Sequence, residues 1–269
     1  MLKTTFATSI LSLAIVASAS AAELPSTGLV EKGTLTYGVA ATFAPFEFQK
    51  DGQLTGFDID LISALAKKLK AETKPMNMDF QGLIPALLAG RIDIINSAMY
   101  INPKRSEQVD FIPYLKVGNQ VVVRAGNPSK ITGRDDSLCG KTIAVTLGGI
   151  EESQARADDA RCKGKGLAAV KVLTFPTGQD SALALRQGRA DAEFDSTPGA
   201  VVLQTETPGV YEVAGEEFES NTNIGMATRK GDTAVQKAIK DALQELVADG
   251  TYKTLIEKWK LPASVSIFN

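Results

Sequence analysis

Apolar positions along the chain fall into two alternating rhythms. Residues 33–48, GTLTYGVAATFAPFEF, alternate and are rich in β-formers, which predicts a strand running into a loop. The next stretch, GFDIDLISALAKKLKAE, sets Ile59, Ile62, Leu65, Ala66 and Leu69 at helical spacing. Asp58 and Asp60 near its start suit a helix N-terminus, and capping is the preferred reading of both. A short strand (PMNMDF), a helix (LIPALLAG) and a strand (IDIINSAMY) complete the first half. Strands alternating with helices predict an α/β fold with helices on the faces of a parallel sheet.

The second half runs through the same scheme. KTIAVTLGG, residues 141–149, is a strand ending in a Gly turn, and EESQARADDARC is a helix. AVKVLTFP is a strand, DSALALRQ a helix from Asp180, and ADAEFD a strand. The parallel extends to wording: GRIDIINSA at 90–98 returns as GRADAEFDS at 188–196. In each copy a Gly stops a helix, as a residue tolerant of the left-handed conformation, and Asp93 or Asp191 follows at the same spacing. Alone, this is common α/β punctuation. Between the halves GNQVVVRAGNP (118–128) is extended, and NTNIGMATRKGD (221–232) is extended after the second. These segments carry the chain out to a second lobe and back, and so predict two hinge strands. The expected division is residues 23–121 plus 224–269 as lobe one and 122–223 as lobe two. Two helices, DTAVQKAIKDALQELVADG and TYKTLIEKWK, close the chain, and only PASVSIFN looks loose.

The first residues read as a processing signal. Lys3 supplies the positive start, Phe6 to Ala17 is mostly apolar but short, and Ser20, Ala21 and Ala22 are small. Cleavage is expected after Ala22, which makes 1–22 a signal peptide and the protein an exported one. Formal net charge is −2, which gives no electrostatic case for nucleic acid or an anionic membrane. The chain has no His, which removes Ser–His and Cys–His dyads and the commonest metal ligand. Its two Cys, Cys139 and Cys162, fit a disulfide better than a metal site in an exported chain. Closing that loop is worth about 3 kcal/mol in the loop-entropy picture.

In open α/β sheets ligands bind beyond the carboxyl ends of strands. There the first copy of the repeated phrase ends at Asn96 and Ser97 and leads on to Arg105, while the second ends at Asp195. One lobe offers a hydroxyl and a guanidinium, the other a carboxylate. That pairing suits a zwitterion, because Arg holds a carboxylate bidentately and Asp accepts from an ammonium. Spacing alone leaves open that these are ordinary surface residues.

The combination TFAPFEF, GQLTGFDIDL, FQGLIPALLAGRIDIINSAMYINPKR, VDFIPYLKVGNQVVVR, LCGKTIAVTLGG and DGTYKTLIEKWKLP strongly resembles the family 3 bacterial solute-binding proteins. These are the periplasmic receptors of polar amino acid ABC importers, and the likeness runs through the chain in the family's order. It implies two α/β lobes joined by two strands and closing over one small ligand. It further implies a periplasmic monomer with no cofactor and no metal, and a membrane permease as docking partner. By the same resemblance Arg105 clamps the ligand carboxylate and Asp195 holds its amine. Ser97 also contacts the amine, and Ala98 contributes only a backbone N–H. Phe43 stacks on the ligand side chain with Phe80 opposite, although residues alone favour ordinary core for both. The N–H groups of the LGGI segment are placed to donate to the carboxylate. The family often pairs Cys residues placed like Cys139 and Cys162.

The departures bear on the ligand. GGI, Gly148 to Ile150, stands where the family usually has GTT, so hydroxyl contacts to the carboxylate are lost. Tyr100 stands where Ser is common and Asn102 where Thr is common. Ala40 stands where receptors for cationic amino acids can carry Asp, which argues against a Lys or Arg ligand. Gly149 removes bulk and Tyr100 adds it, so a larger or modified amino acid, such as an opine, is the alternative ligand. Glu47 and Glu151 either bring negative charge to the site or are solvated or capping residues. A second class of reading is enzymatic: some exported proteins similar to this family are cyclohexadienyl dehydratases, and Glu47, Glu151 or Glu193 would then be the acid.

Overall fold

The computed structural model describes residues 23–25 and 27–268; the expected signal peptide, 1–22, lies outside them. The strands are β1 (Thr34–Val39), β2 (Thr42–Phe43), β3 (Glu47–Lys50), β4 (Gln53–Thr55), β5 (Glu72–Asn77), β6 (Ile94–Tyr100), β7 (Val109–Arg124), β8 (Thr142–Thr146), β9 (Lys171–Phe175), β10 (Ala192–Ser196) and β11 (Tyr211–Arg229). The helices are α1 (Phe57–Lys68), α2 (Leu83–Leu88), α3 (Pro103–Ser106), α4 (Ile150–Gly164), α5 (Gly178–Arg186), α6 (Thr197–Glu206), α7 (Thr233–Ala248) and α8 (Thr251–Lys258). Eight strands follow one another in the order β5-β1-β6-β11-β7-β10-β8-β9. β1 pairs in parallel with β5 and β6, and β8 in parallel with β9 and β10.

The two lobes share β7 and β11, which lie antiparallel and change neighbours midway. β11 pairs with β6 from Ile224 to Thr228, and β7 pairs with β10 from Asn119 to Val123. The changeover on β7 comes before Asn119, ahead of the boundary expected at 121/122. The register between β7 and β11 slips at Ala214/Phe218 and again at Phe218/Thr222, so ladder pairing is thinnest between the lobes. One core packs α1, α7 and α8 around β1, β6 and β7; a second packs Ile143, Val145, Phe194 and Ala155 in the other lobe.

The repeated phrase does the same work twice. Gly90 and Gly188 sit at φ 68° and 73° and end α2 and α5. Asp93 then accepts from the Thr36 N–H of β1 at 2.8 Å, and Asp191 accepts from the Thr142 N–H of β8 at 2.8 Å. Each aspartate therefore pins the opening strand of its own lobe. Cys139 and Cys162 form the disulfide, with Cα atoms 5.6 Å apart, tying the last turn of α4 to the segment before β8.

Four local expectations change. β5 begins at Glu72 because its pairing with β1 starts there, ahead of PMNMDF. α6 was not foreseen, although Ser196 caps it by accepting from Gly199 N–H and Pro198 lies in its first turn. The terminal segment is anchored rather than loose: Ser266 bridges Leu115, and Phe268 packs edge-on against Tyr252. Asp58 does not cap α1, whose Gly56 N-cap lacks a side-chain bond. Its carboxylate instead accepts from the Ala98 N–H and the Tyr114 hydroxyl, binding α1 to β6 and β7.

Candidate ligand-binding cleft

A cleft of about 900 Å³, measured to its open mouth, lies between the lobes at the carboxyl ends of their strands. Nine of the ten residues expected at the site line it: Phe43, Phe80, Ala98, Tyr100, Arg105, Gly149, Ile150, Glu151 and Asp195.

Arg105 is fixed from both its main chain and its side chain. Asn102 caps α3 by accepting from Arg105 N–H at 2.9 Å, with Pro103 completing the turn. Arg105 Nη1 donates to Tyr100 O at 2.6 Å, and Nη2 donates across the cleft to Gly148 O at 2.9 Å. The guanidinium lies 5.2 Å from the centre of the Phe80 ring, a cation–π contact. It is 8% exposed, and no carboxylate among the described residues comes within ion-pair distance. Burial lowers its pKa, while the negative charge of Glu151 works the other way.

The residues expected to help Arg105 from its own lobe are otherwise engaged. Ser97 is buried behind the cleft rather than lining it: its hydroxyl accepts from Ala40 N–H at 2.9 Å and donates to Glu47 at 3.0 Å. Ala98 lines the cleft, but its N–H goes to Asp58. Glu47, 1% exposed, is neither solvated nor a cap. Burial and the neighbouring Asp58 charge raise its pKa well above the usual carboxylate range. Asp58 lies against Glu47 and its Oδ2 accepts from the Tyr114 hydroxyl and the Ala98 N–H. Ser97 binds Glu47 Oε1, while Glu47 Oε2 and Asp58 Oδ1 have no hydrogen-bond partner among the described residues.

The facing wall is different. Strand alternation aims Glu193 and Asp195 the same way, and both reach the cleft. Glu193 is 1% exposed and its Oε2 has no hydrogen-bond partner among the described residues. Glu151, in the first turn of α4, is 7% exposed. Burial raises the pKa of Asp195 to about 7, helped by Glu151. Burial likewise lifts Glu151 to about 7, against the pull of its own backbone N–H and of Arg105. Glu193 rises well above the usual range through burial and then the charges of Asp195 and Glu151. Val202, Leu203 and Glu206 of α6 extend this wall. The sequence reading placed none of the α6 residues here. Glu193, which the sequence offers only as a candidate acid of the enzymatic reading, stands two residues before Asp195 on one strand and so shares its face.

A family model for bacterial extracellular solute-binding proteins, family 3, matches residues 35–262. The chain belongs to that family. This family 3 protein is 34% identical over 256 residues to the L-cystine-binding protein of Escherichia coli K12, covering 93% of this chain and 92% of the relative. Among solved structures, an ancestral arginine-binding protein bound to arginine superposes with a TM-score of 0.78 at 38% identity, covering 85% of this chain and 98% of that one. An ancestral amino acid-binding protein described as a precursor of cyclohexadienyl dehydratase gives 0.75 at 34%, covering 84% and 95%. The two-lobed binding-protein architecture of this family 3 member, with β7 and β11 as its connecting strands, accords with these neighbours.

Proposed function

We propose that the protein is the periplasmic receptor of an ABC importer and captures a polar amino acid between its lobes. The observation that carries this is Arg105: a buried guanidinium facing a cleft without a carboxylate partner. A buried charge is retained where something pairs with it, and a ligand carboxylate is the matching anion. Asp195, on the opposite wall, takes the ligand amine, while Phe43 and Phe80 flank the side chain. The names of the cystine- and arginine-binding relatives support an amino acid as cargo. The closing bodies are residues 23–118 with 221–268, and residues 119–220, a division supported by the change of strand partners. Residues 1–22 are removed on export, and the mature monomer docks on a membrane permease. No helix among the described residues is long and apolar enough to cross a membrane.

The test is calorimetric titration of protein refolded to strip bound ligand, against the common L-amino acids and a small opine set. One-to-one binding is expected, and Arg105→Ala weakens it by about 2–5 kcal/mol. Unchanged affinity in that variant would falsify the site. We read the chain as a receptor rather than an enzyme; release of an aromatic product from prephenate or arogenate would reverse that.

A further inference from the structure

We infer that the cleft contains a second cation subsite, built by Glu193 with Glu151 on lobe two, and that the ligand carries a cationic nitrogen beyond its α-amine. The inference rests on the receptor reading above and deepens it. An amino acid headgroup brings one carboxylate for Arg105 and one ammonium for Asp195. That leaves Glu193 and Glu151, both more than nine-tenths buried, on the same wall. Glu193 Oε2 has no hydrogen-bond partner among the described residues, although strand geometry aims its side chain into the cleft beside Asp195. A buried acceptor left unpaired is costly, so its position calls for a donor. On lobe one Glu47 Oε2 and Asp58 Oδ1 are likewise without a partner among the described residues, but there each carboxyl has its other oxygen bound, Glu47 by Ser97 and Asp58 by Ala98 and Tyr114, and the two groups lie against each other. Mutual repulsion with Asp195 and Glu151 also helps raise the Glu193 pKa. A second cation relieves that repulsion; a neutral side chain does not. The absence of an aspartate at Ala40 therefore does not exclude a cationic ligand, since the counter-charge comes from the opposite lobe.

Three matched pairs test this by calorimetry on the ligand-stripped protein. Arginine is set against citrulline, and lysine against norleucine. Cystine is set against the mixed disulfide of cysteine and 3-mercaptopropionate, which lacks one amine. The member with the extra cation is expected to bind about 10- to 100-fold tighter in at least one pair, the range of a hydrogen bond to a charged group. The pair that responds tells a side-chain cation from a second α-amine. In Glu193→Gln the ratio within that pair should collapse toward one, with a melting curve confirming that the variant is folded. Equal affinities within all three pairs, or a ratio untouched by Glu193→Gln, overturn the subsite. If Arg105→Ala still abolishes binding in that case, the receptor reading stands alone; if Arg105→Ala changes nothing, that reading fails as well.

Discussion

Gly149 and Glu151 are fitted to one another: a Cβ on Gly149 would stand 2.5 Å from Glu151 Oε2. Gly149 has φ −66°, so any residue could adopt its backbone, and glycine serves here by leaving space. The Glu151 carboxylate uses that space to lie at the N-terminus of α4, where it draws on its own N–H and on the charge of Arg105. With its pKa raised to about 7, Glu151 is ionised above that pH, and there a ligand carboxylate approaching Arg105 meets a resident anion. Glu151→Gln and Gly149→Thr both displace that anion. Each is expected to tighten binding of an amino acid with an uncharged side chain by about three- to tenfold, the worth of one net hydrogen bond. Titration of both variants with glutamine and norleucine checks this, and affinities equal to the parent protein would show that Glu151 does not compete.

A chain of hydrogen bonds crosses the molecule at its waist. Tyr100 of β6 donates to Asn119 of β7 at 3.0 Å, and Asn119 donates to Gln154 of α4 at 3.3 Å. Gln154 then donates to Glu219 of β11 at 2.6 Å, and Glu219 also accepts from Arg134 at 2.6 Å. Tyr100 belongs to the first lobe, so its hydroxyl joins that lobe to this network, beside the β6–β11 pairing and the Arg105–Gly148 bond across the cleft. Tyr100→Phe removes one bond, about 0.5–1.5 kcal/mol, and shifts the empty protein toward open forms. A larger radius of gyration without ligand, by small-angle X-ray scattering, is the expected result. The liganded radius should match that of the parent protein, because closure is then held by ligand contacts.

Much of this was legible in the sequence because it is local. Strand and helix periods, the Gly stops before Asp93 and Asp191, and the placing of Arg105 and Asp195 at strand ends depend on neighbours a few residues away. Ser97 and Ala98 were placed correctly on β6, yet their polar groups go to Glu47 and Asp58, 50 and 40 residues distant. No periodicity reports such partners. Asp58 looked like a cap because caps are usual at helix starts; only the arrival of Tyr114 and Ala98 makes a buried carboxylate the better arrangement.

Asp93 and Asp191 offer a paired comparison. Asp93 is fully buried and accepts from both Val30 and Thr36 N–H groups. Asp191 is part-buried and accepts from Ser129 and Thr142. Truncation leaves the buried Thr36 donor unpaired at the first site, where Val30 is exposed, and only half-buried donors at the second. Asp93→Ala should cost about 3 kcal/mol or more and Asp191→Ala roughly 1–2 kcal/mol. Urea unfolding of the two variants measures the difference, and equal losses would mean that burial does not set the cost.

The acid wall sets a pH dependence with a definite sign. Glu151 and Asp195 have folded-state pKa values raised to about 7, whereas unfolded carboxylates titrate near 4. Between those limits the folded chain holds protons that the unfolded chain has released, so stability falls as pH rises. The empty protein should therefore lose melting temperature from about pH 4 to pH 7 and level off above. Each kcal/mol lost corresponds to roughly 2–4 °C for a chain of this size. Asp195→Asn combined with Glu151→Gln should flatten the slope. Binding of an amine ligand needs the ionised forms, so it expels protons, and its heat near pH 6 should vary with the ionisation enthalpy of the buffer. A melting temperature that climbs through this window, or a binding heat identical in phosphate and Tris, would place the charged forms of these acids in the empty cleft.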